Sequence, residues 1–246
     1  MSESNSTLNT EIQTRPSKSQ KIDWFPSRWT TVFENSRFAD RLSQLIPSDV
    51  AEDGRASIKR EQIYEKRNAD LTLTFLATMI WGRGPDNRGP KLTLRMMNDD
   101  RFDVTIAELA RGAKSSSPPI AFRTLFTKGR ARLPRLGVSF GTKVIHAFGY
   151  KESGLQPLVY DVLVFKALQF LNGKGEFPYE PQHPWRFMTG ESYGRYCDWA
   201  AQKASDLAVE PADVECALFN LGKDILARER LGLTSSSPSP LPAFRR

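Results

Sequence analysis

One stretch constrains the fold of this chain more than any other, the apolar run "LVYDVLVFKALQFL" at 158–171, which contains the carboxylate of Asp161. Its β-branched residues would suit a buried strand, but a strand would leave Asp161 among apolar neighbours, where an unpaired carboxylate is costly. If Asp161 is instead the N-cap of a helix over 162–171, its carboxylate accepts backbone N–H groups at the positive end of the helix dipole. The sequence therefore favours a helix that begins directly after Asp161.

Other segments show apolar residues at helical spacing. The segment 211–232 opens with Pro211 and ends with Gly232, and its apolar positions are Val214, Leu218, Leu221 and Ile225. The segment 189–208 carries one stripe, formed by Tyr193, Tyr196, Cys197, Ala200, Ala204 and Leu207, which indicates core packing more than a base-stacking surface. The segment "LTLTFLATMIWG" at 71–82 fits a strand or a helix, and its length favours a helix. The pattern predicts a mostly helical chain.

The two ends of the chain differ in composition from its middle. Residues 1–22 are rich in Ser, Thr and Asn without apolar periodicity, and residues 233–246 are rich in Ser and Pro. Such segments cannot bury enough apolar surface to offset the cost of ordering, so we predict a disordered tail at each end. Between them, residues 23–232 contain neither a linker nor an internal repeat, which predicts one domain.

Composition limits the partners and the chemistry. The 246 residues carry a net charge of +7 with a pI of about 9.5, which favours nucleic acid or another anionic surface as partner. Two cysteines and two histidines exclude a four-cysteine zinc or iron–sulfur site, and no H-E-x-x-H spacing exists, so we expect no metal. The polar N-terminus lacks the apolar stretch of a secretory signal, and no apolar run reaches membrane-spanning length. We therefore expect an intracellular protein without membrane contact.

A glycine-punctuated stretch, "LPRLGVSFGTK" at 133–143, precedes a second helical pattern. It predicts a short helix, a turn at Gly137 and Gly141, and a second helix with Lys143 in its first turn. The free N–H groups of such a helix end bind phosphate, and three arginines add positive charge nearby, Arg130, Arg132 and Arg135. The field of the helix end, with partial burial, would lower the pKa of Lys143 and free its amine as a nucleophile. An ordinary αα-hairpin with a solvated lysine is the alternative.

The blocks "GVSFGTKVIHAFGY" and "PLVYDVLVFKAL" resemble the helix-hairpin-helix DNA glycosylases and look most like the 8-oxoguanine DNA glycosylase branch. In that family a Gly-Val-Gly-Thr-Lys hairpin supplies a catalytic lysine, and a Pro-Val-Asp segment supplies a catalytic aspartate at the start of the next helix. Gly141, Thr142 and Lys143 match the end of the hairpin motif, and Asp161 matches the aspartate. Ser139 stands in place of the first hairpin glycine. Segments 79–97 and 193–222 also look like bacterial proteins of this fold.

The resemblance implies an all-α fold with two helical lobes and a DNA cleft between them. It implies a DNA glycosylase that rotates a modified base out of the duplex and cleaves its N-glycosidic bond. Lys143 would attack C1′ and form a Schiff base that permits β-elimination, which is the activity of a lyase at abasic sites. Asp161 would stabilise the oxocarbenium-like sugar. The resemblance further implies a monomer in the bacterial cytoplasm, with no cofactor beyond a monovalent cation at the hairpin carbonyls.

Further site residues follow from the same resemblance. Gly137, Gly141, Thr142 and Arg135 are the expected DNA contacts at the hairpin. The loop "WGRGPDNRGP" at 81–90 falls where the superfamily inserts a wedge, so Arg83, Asn87 and Arg88 are candidates for the wedge and for the unpaired partner base. Ala147 and Trp81 are candidates for walls of the base pocket. A solvated Gly/Pro turn and a buried tryptophan are the structural alternatives.

The biological role stays open at this point. Repair of oxidised guanine by base excision and anti-phage defence against hypermodified bases both suit a glycosylase of this kind. A non-catalytic helical DNA-binding module would share the basic charge and the hairpin, but it has no need of a lysine and an aspartate at these positions. A helical protein-interaction domain is the third alternative, which weak and salt-insensitive DNA binding would favour.

Overall fold

The computed structural model describes residues 8–9, 11–12, 16–66, 70–115, 117–126, 133–150, 154–183 and 188–233. Its first half contains β1 (Lys21–Trp24), α1 (Pro26–Phe33), α2 (Ala39–Ser43), β2 (Ala56–Lys59), α3 (Arg60–Lys66), α4 (Leu71–Arg83) and α5 (Gly89–Met97). Its second half contains α6 (Phe102–Ala113), α7 (Pro118–Phe126), α8 (Val138–Gly149), α9 (Val162–Gly173), α10 (Gly190–Leu207) and α11 (Pro211–Arg230). The two strands pair antiparallel, with Lys21 opposite Lys59 and Trp24 opposite Ala56. Helices dominate the described residues, which confirms the predicted all-α glycosylase fold.

Three helices begin where their sequences predict. Asp161 caps α9, and its carboxylate accepts the N–H groups of Leu163 and Val164. Pro211 is the first residue of α11, which ends at Arg230, shortly before Gly232 at φ +66°. The ambiguous segment at 71–82 is helical, because it forms most of α4 and buries nine of its residues in the core.

The predicted boundary of the N-terminal tail at residue 22 is wrong. Leu8 and Ile12 are only 1% and 2% exposed and belong to the hydrophobic core. The backbone N–H of Ser17 donates to Asp213 at 2.6 Å, and β1 begins at Lys21. These residues are ordered by partners distant in sequence, which their polar composition does not reveal. Residues 1–7 and 234–246 lie outside the described residues, so for them the predicted tails stay a prediction.

The predicted position of the glycine turn before Lys143 is also wrong. Helix α8 begins at Val138, with Gly137 as its N-cap, and the N–H of Gly141 donates to the carbonyl of Gly137 at 2.8 Å. Gly141 therefore lies in the first turn of the helix, and Lys143 lies in the second turn. The turn itself lies earlier, at Arg135, whose φ of 71° places it in the left-handed region. Gly141 serves packing, because an added Cβ would lie 2.9 Å from Leu125.

One continuous core joins both halves of the chain and determines which elements meet. Helix α4 packs against α8, and α9 packs against α11. The crossing of α9 and α11 is very close, since a Cβ added to Gly222 would lie 2.0 Å from the carbonyl oxygen of Leu163. These contacts bring α4, α8 and the N-terminus of α9 to one place.

Candidate active site

An extended segment, Pro157–Asp161, leads into α9, and we call it the strap. The strap pairs with no strand among the residues that the structure describes, yet four of its backbone carbonyls accept hydrogen bonds from side chains. The donors are His146 Nδ1 to Pro157 at 2.7 Å, Tyr193 to Leu158 at 2.5 Å, Tyr196 to Val159 at 3.0 Å and Thr142 to Tyr160 at 3.1 Å. Helices α8 and α10 therefore fix the position of the strap from two sides, and with it the position of Asp161.

The side chains of Lys143 and Asp161 form a buried ion pair. Lys143 Nζ lies 3.0 Å from Asp161 Oδ2, and the two side chains are 8% and 9% exposed. The other oxygen of Asp161, Oδ1, accepts the N–H groups of Leu163 at 3.0 Å and Val164 at 3.2 Å. Burial by itself would raise the pKa of Asp161, but the charge of Lys143 and these hydrogen bonds outweigh it and hold that pKa below its usual value. Asp161 is therefore an anion at neutral pH.

Aromatic side chains and one glycine surround the ammonium group of Lys143. Its Nζ lies 5.8 Å from the ring centroid of Trp81 and 5.8 Å from that of Phe140. Gly82 of α4 allows this approach, since a Cβ there would lie 2.9 Å from the ring of Phe140 and 3.1 Å from Cδ of Lys143. The lysine is thus held between α4 and its own helix, with little room for another conformation.

A second buried ion pair also lies beside Trp81. Arg60 donates to Glu215, both side chains are 1% exposed, and the guanidinium lies 4.9 Å from the centroid of Trp81. Burial raises the pKa of Glu215, and the charge of Arg60 opposes that rise. Burial also lowers the pKa of Arg60, and the charge of Glu215 more than reverses this. Two ion pairs therefore flank one tryptophan ring, so the net charge buried around Trp81 is close to zero.

His146, one turn after Lys143, is part of the support and not a proton acceptor at neutral pH. Its Nε2 lies 2.7 Å from the hydroxyl of Tyr64, and its Nδ1 lies 2.7 Å from the carbonyl oxygen of Pro157. A carbonyl can only accept, so Nδ1 carries the proton and the tyrosine donates to Nε2. Burial, together with the charge of Arg60, lowers the pKa of His146 to about 3. The imidazole therefore stays neutral and helps to fix the strap.

Comparison with known families gives a match over most of the chain. The matching family model is described as "Putative 8-oxoguanine DNA glycosylase OGG-like protein", and it covers residues 15–219. The chain belongs to this OGG-like family. The match includes α8, the strap and the start of α9, and it begins within the segment predicted to be a tail. Neither the curated proteins nor the solved structures gave a significant match.

The three predicted wedge candidates of this OGG-like protein lie at the end of α4 and in the loop that follows it, and they differ in burial and contacts. Arg83 is largely buried, with its guanidinium 3.9 Å above the ring of Phe140 and 4.0 Å from Asp86. Asn87 and Arg88 are exposed. Arg28 donates to Asn87 and, at 3.1 Å, to the carbonyl of Pro85, which braces the loop. Arg83 therefore lies beside the Lys143 site, whereas Arg88 faces solvent.

Two of the predicted DNA contacts of the OGG-like chain lie in its interior. Gly141 packs on Leu125, and Thr142 is 0% exposed with its hydroxyl bound to Tyr160, so their role as DNA contacts stays a prediction. Gly137 and Arg135 do lie at the surface end of α8. Trp81 and Ala147 are buried in the core, where Trp81 contacts the two cations and Ala147 packs one turn after Lys143.

Several residues of the site were missed by the sequence reasoning. Gly82, Phe140, Tyr193 and Tyr196 contact the pair or the strap, and Arg60 and Glu215 form the second ion pair beside Trp81. Of these, only Glu215 had a usable indication in the sequence, because it is a carboxylate within the apolar face of a helical pattern.

A search of the described residues for three or more clustered His, Cys, Asp or Glu side chains found no group that could hold a metal ion. Among the same residues no helix combines the length and apolar character needed to cross a membrane.

Proposed function

We propose that this OGG-like protein is a DNA glycosylase with associated lyase activity at abasic sites, in which Lys143 is the nucleophile and Asp161 its electrostatic partner. The observation that carries the proposal is the buried pair at 3.0 Å, within a chain that belongs to a DNA glycosylase-like family. The free energy needed to remove two charges from water exceeds the stabilisation that a surface ion pair provides. A buried pair of this kind at a helix start is therefore explained better by a role in chemistry than by a role in stability.

The first step requires a neutral amine on Lys143. Asp161 Oδ2 accepts a hydrogen bond from Nζ, so it is the group positioned to take the lysine proton. The amine lone pair then forms a bond to C1′ of the flipped nucleotide while the C1′–N bond to the base breaks. The base leaves with that electron pair and receives the proton that Asp161 took from the lysine, so Asp161 is again a carboxylate. This carboxylate stabilises the positive charge that develops on the sugar, in surroundings that are already dry and ordered.

The second step gives strand cleavage. The nitrogen of the lysine–sugar adduct first loses a proton to Asp161. Its lone pair then forms a C=N bond as the C1′–O4′ bond breaks, and O4′ takes that proton from Asp161. Loss of a proton from C2′ then expels the 3′ phosphate, which is β-elimination. The Schiff base is the intermediate that hydride reduction converts to a stable amine, so it can be trapped on a gel.

DNA contacts are proposed at the surface beside this pair. The N-cap Gly137 provides no side-chain cap, so the first N–H groups of α8 are available to a phosphate, and the exposed Arg135 lies in the turn before them. Arg83 at the end of α4 lies with its guanidinium over the ring of Phe140, and the exposed Arg88 follows in the α4–α5 loop. We propose that these groups hold the backbone on both sides of the flipped nucleotide, with Ala147 and Trp81 behind it.

The base itself is proposed from the family description, which makes 8-oxoguanine in duplex DNA the first substrate to test. Hypermodified bases of phage DNA are the second, as targets of a defence role. A monovalent cation at the turn stays a prediction, and the carbonyls of Leu133 and Gly137 there already accept backbone N–H groups. A monomer in the bacterial cytoplasm likewise stays a prediction.

Borohydride trapping tests the proposal. The protein is incubated with duplexes that contain 8-oxoguanine, uracil, an abasic site or glucosylated hydroxymethylcytosine, and the adducts are reduced and run on a denaturing gel. We expect a covalent band that Lys143→Gln abolishes while leaving DNA binding intact. Lys166→Gln is the matched control, because Lys166 is a helix lysine whose partner, Glu229, lies on α11 away from the strap. Base release by Lys143→Gln would contradict the assignment, and binding without release of any base would favour the non-catalytic DNA-binding module.

A further inference from the structure

Within the described part of the chain the strap pairs with no strand, and side chains of α8 and α10 hold four of its carbonyls beside the Lys143–Asp161 pair. We propose that Thr142 is the positioning residue of this site and that its hydroxyl sets the alignment of Asp161 with Lys143. The inference rests on the proposed function, because alignment of the pair has a consequence only if the pair performs chemistry.

The contacts of Thr142 differ from those of the other three side chains on the strap. Its Oγ1 accepts the N–H of Tyr160 at 3.0 Å, and its hydrogen lies between two carbonyl acceptors, that of Tyr160 at 3.1 Å and, farther away, that of Ser139 at 3.3 Å. One hydroxyl therefore satisfies both backbone groups of Tyr160, as a neighbouring strand residue would. Thr142 is fully buried, so water does not compete for these bonds.

The place of Thr142 in the chain makes this contact relevant to the pair. Thr142 directly precedes Lys143 on α8, and Tyr160 directly precedes Asp161 on the strap. The Lys143–Asp161 contact and the Thr142–Tyr160 contact are therefore adjacent rungs between the same two backbones. Tyr193 and Tyr196 hold the strap to α10, and His146 holds its start, but none of these three is a chain neighbour of Lys143 or Asp161.

Two substitutions of Thr142 distinguish an effect on the alignment of Asp161 with Lys143 from an effect on folding. Thr142→Val keeps the shape of the side chain but leaves the N–H and C=O of Tyr160 without their partner, so the strap is free to shift. A misplacement of about 1 Å in a reacting group costs up to about 100-fold in rate, so we expect a loss between about 10-fold and 100-fold. Thr142→Ser retains the hydroxyl and is expected to stay within about threefold of the wild-type rate.

The experiment measures two quantities on the full-length protein. The first is the single-turnover rate of borohydride-trappable adduct on duplexes with 8-oxoguanine or an abasic site, together with the dissociation constant for the same duplexes. The second is hydrogen exchange at the amide of Tyr160. Thr74→Val is the matched control, because Thr74 is an equally buried threonine whose hydroxyl bonds a carbonyl within α4, at 2.9 Å, away from the strap.

The expected result is a slow Thr142→Val with unchanged DNA affinity and faster exchange at Tyr160, rescue by Thr142→Ser, and wild-type behaviour of Thr74→Val. Should Thr142→Val not fold, Thr142→Ala takes its place in the same comparison. A wild-type trapping rate in Thr142→Val would overturn this inference alone, and so would an equal loss of rate in Thr74→Val. A wild-type protein that forms no adduct and releases no base would overturn the proposed function, and this inference with it.

Discussion

The buried pair of Lys143 and Asp161 allows a quantitative test by a double-mutant cycle on stability. The two single variants are Lys143→Met, which keeps most of the lysine stem, and Asp161→Asn, which keeps an oxygen to cap α9. Asn and Asp are similarly effective N-caps, so the second variant removes the charge while retaining the hydrogen bonds from Leu163 and Val164. The fourth protein carries both changes.

The magnitude follows from the geometry. Two unit charges separated by the observed 3.0 Å attract each other by about 5 kcal/mol at an effective dielectric constant of about 20. Each single variant leaves one buried charge without its partner and is expected to lower the free energy of unfolding by about 3–5 kcal/mol. The double variant removes both charges and should lose much less than the sum of the two, which gives a coupling energy of about 2–5 kcal/mol.

The assay is urea unfolding at neutral pH, followed by circular dichroism of the helices for all four proteins. The pair Lys166–Glu229 provides a control cycle, because its nitrogen–oxygen distance of 2.9 Å is similar but its side chains are 31% and 36% exposed. Exposed pairs couple by less than about 1 kcal/mol. Equal coupling energies in the two cycles would refute the reasoning, since burial would then contribute nothing to the Lys143–Asp161 interaction.

Three further predictions follow from packing and charge. Gly82→Ala should slow adduct formation by about tenfold or more, because its Cβ would lie 3.1 Å from Cδ of Lys143. Gly173→Ala, with no atom within 4 Å of its Cβ, should instead be neutral or stabilise the protein by up to about 1 kcal/mol; equal activity of the two variants would contradict the packing argument. The pKa of His146 is about 3 in the folded protein and 6.5 in the unfolded chain. As the pH drops below 6.5, only the unfolded chain binds a proton at this residue, so the free energy of unfolding falls. Urea unfolding of His146→Gln between pH 5 and pH 6.5 should therefore show a slope smaller by up to about 1.4 kcal/mol per pH unit; an unchanged slope would mean that the imidazole is not buried neutral. Deletion of residues 1–12, which contain buried core side chains, should lower the free energy of unfolding by about 2–5 kcal/mol, whereas a tail without contacts would leave the thermal midpoint unchanged.

Much of the helical architecture could be predicted from the sequence because helix starts are local events. The N-cap at Asp161 depends on the carboxylate and the two N–H groups that follow it, and Pro211 starts α11 by its own backbone geometry. The position of the turn does not follow from the sequence, because Gly137 and Gly141 are the same residue type and differ only in what surrounds them in the folded chain. The backbone hydrogen bond from Gly141 to Gly137 places this glycine inside the helix, and the packing of Leu125 against it explains why a glycine is needed there.

The N-terminal segment was misjudged for a related reason. Leu8 and Ile12 are isolated apolar residues in a polar stretch, so composition alone gives no reason to expect order there. Their burial depends on a core assembled from helices much later in the chain, and Ser17 depends on Asp213 in the same way. Contacts between residues so far apart in the chain leave no pattern in the local sequence from which they could be predicted.

The sequence by itself determined the helical class, the two residues of the candidate pair and the capping role of Asp161. Each of these depends on residue type and on the few positions around it. Only the tertiary structure decided that the hydroxyl of Thr142 faces the strap, that Arg60 and Glu215 lie beside Trp81 near the pair, and that Gly82 admits Lys143. These contacts join segments far apart in sequence, and they exist because the core, once packed, leaves the buried polar groups no partner but one another.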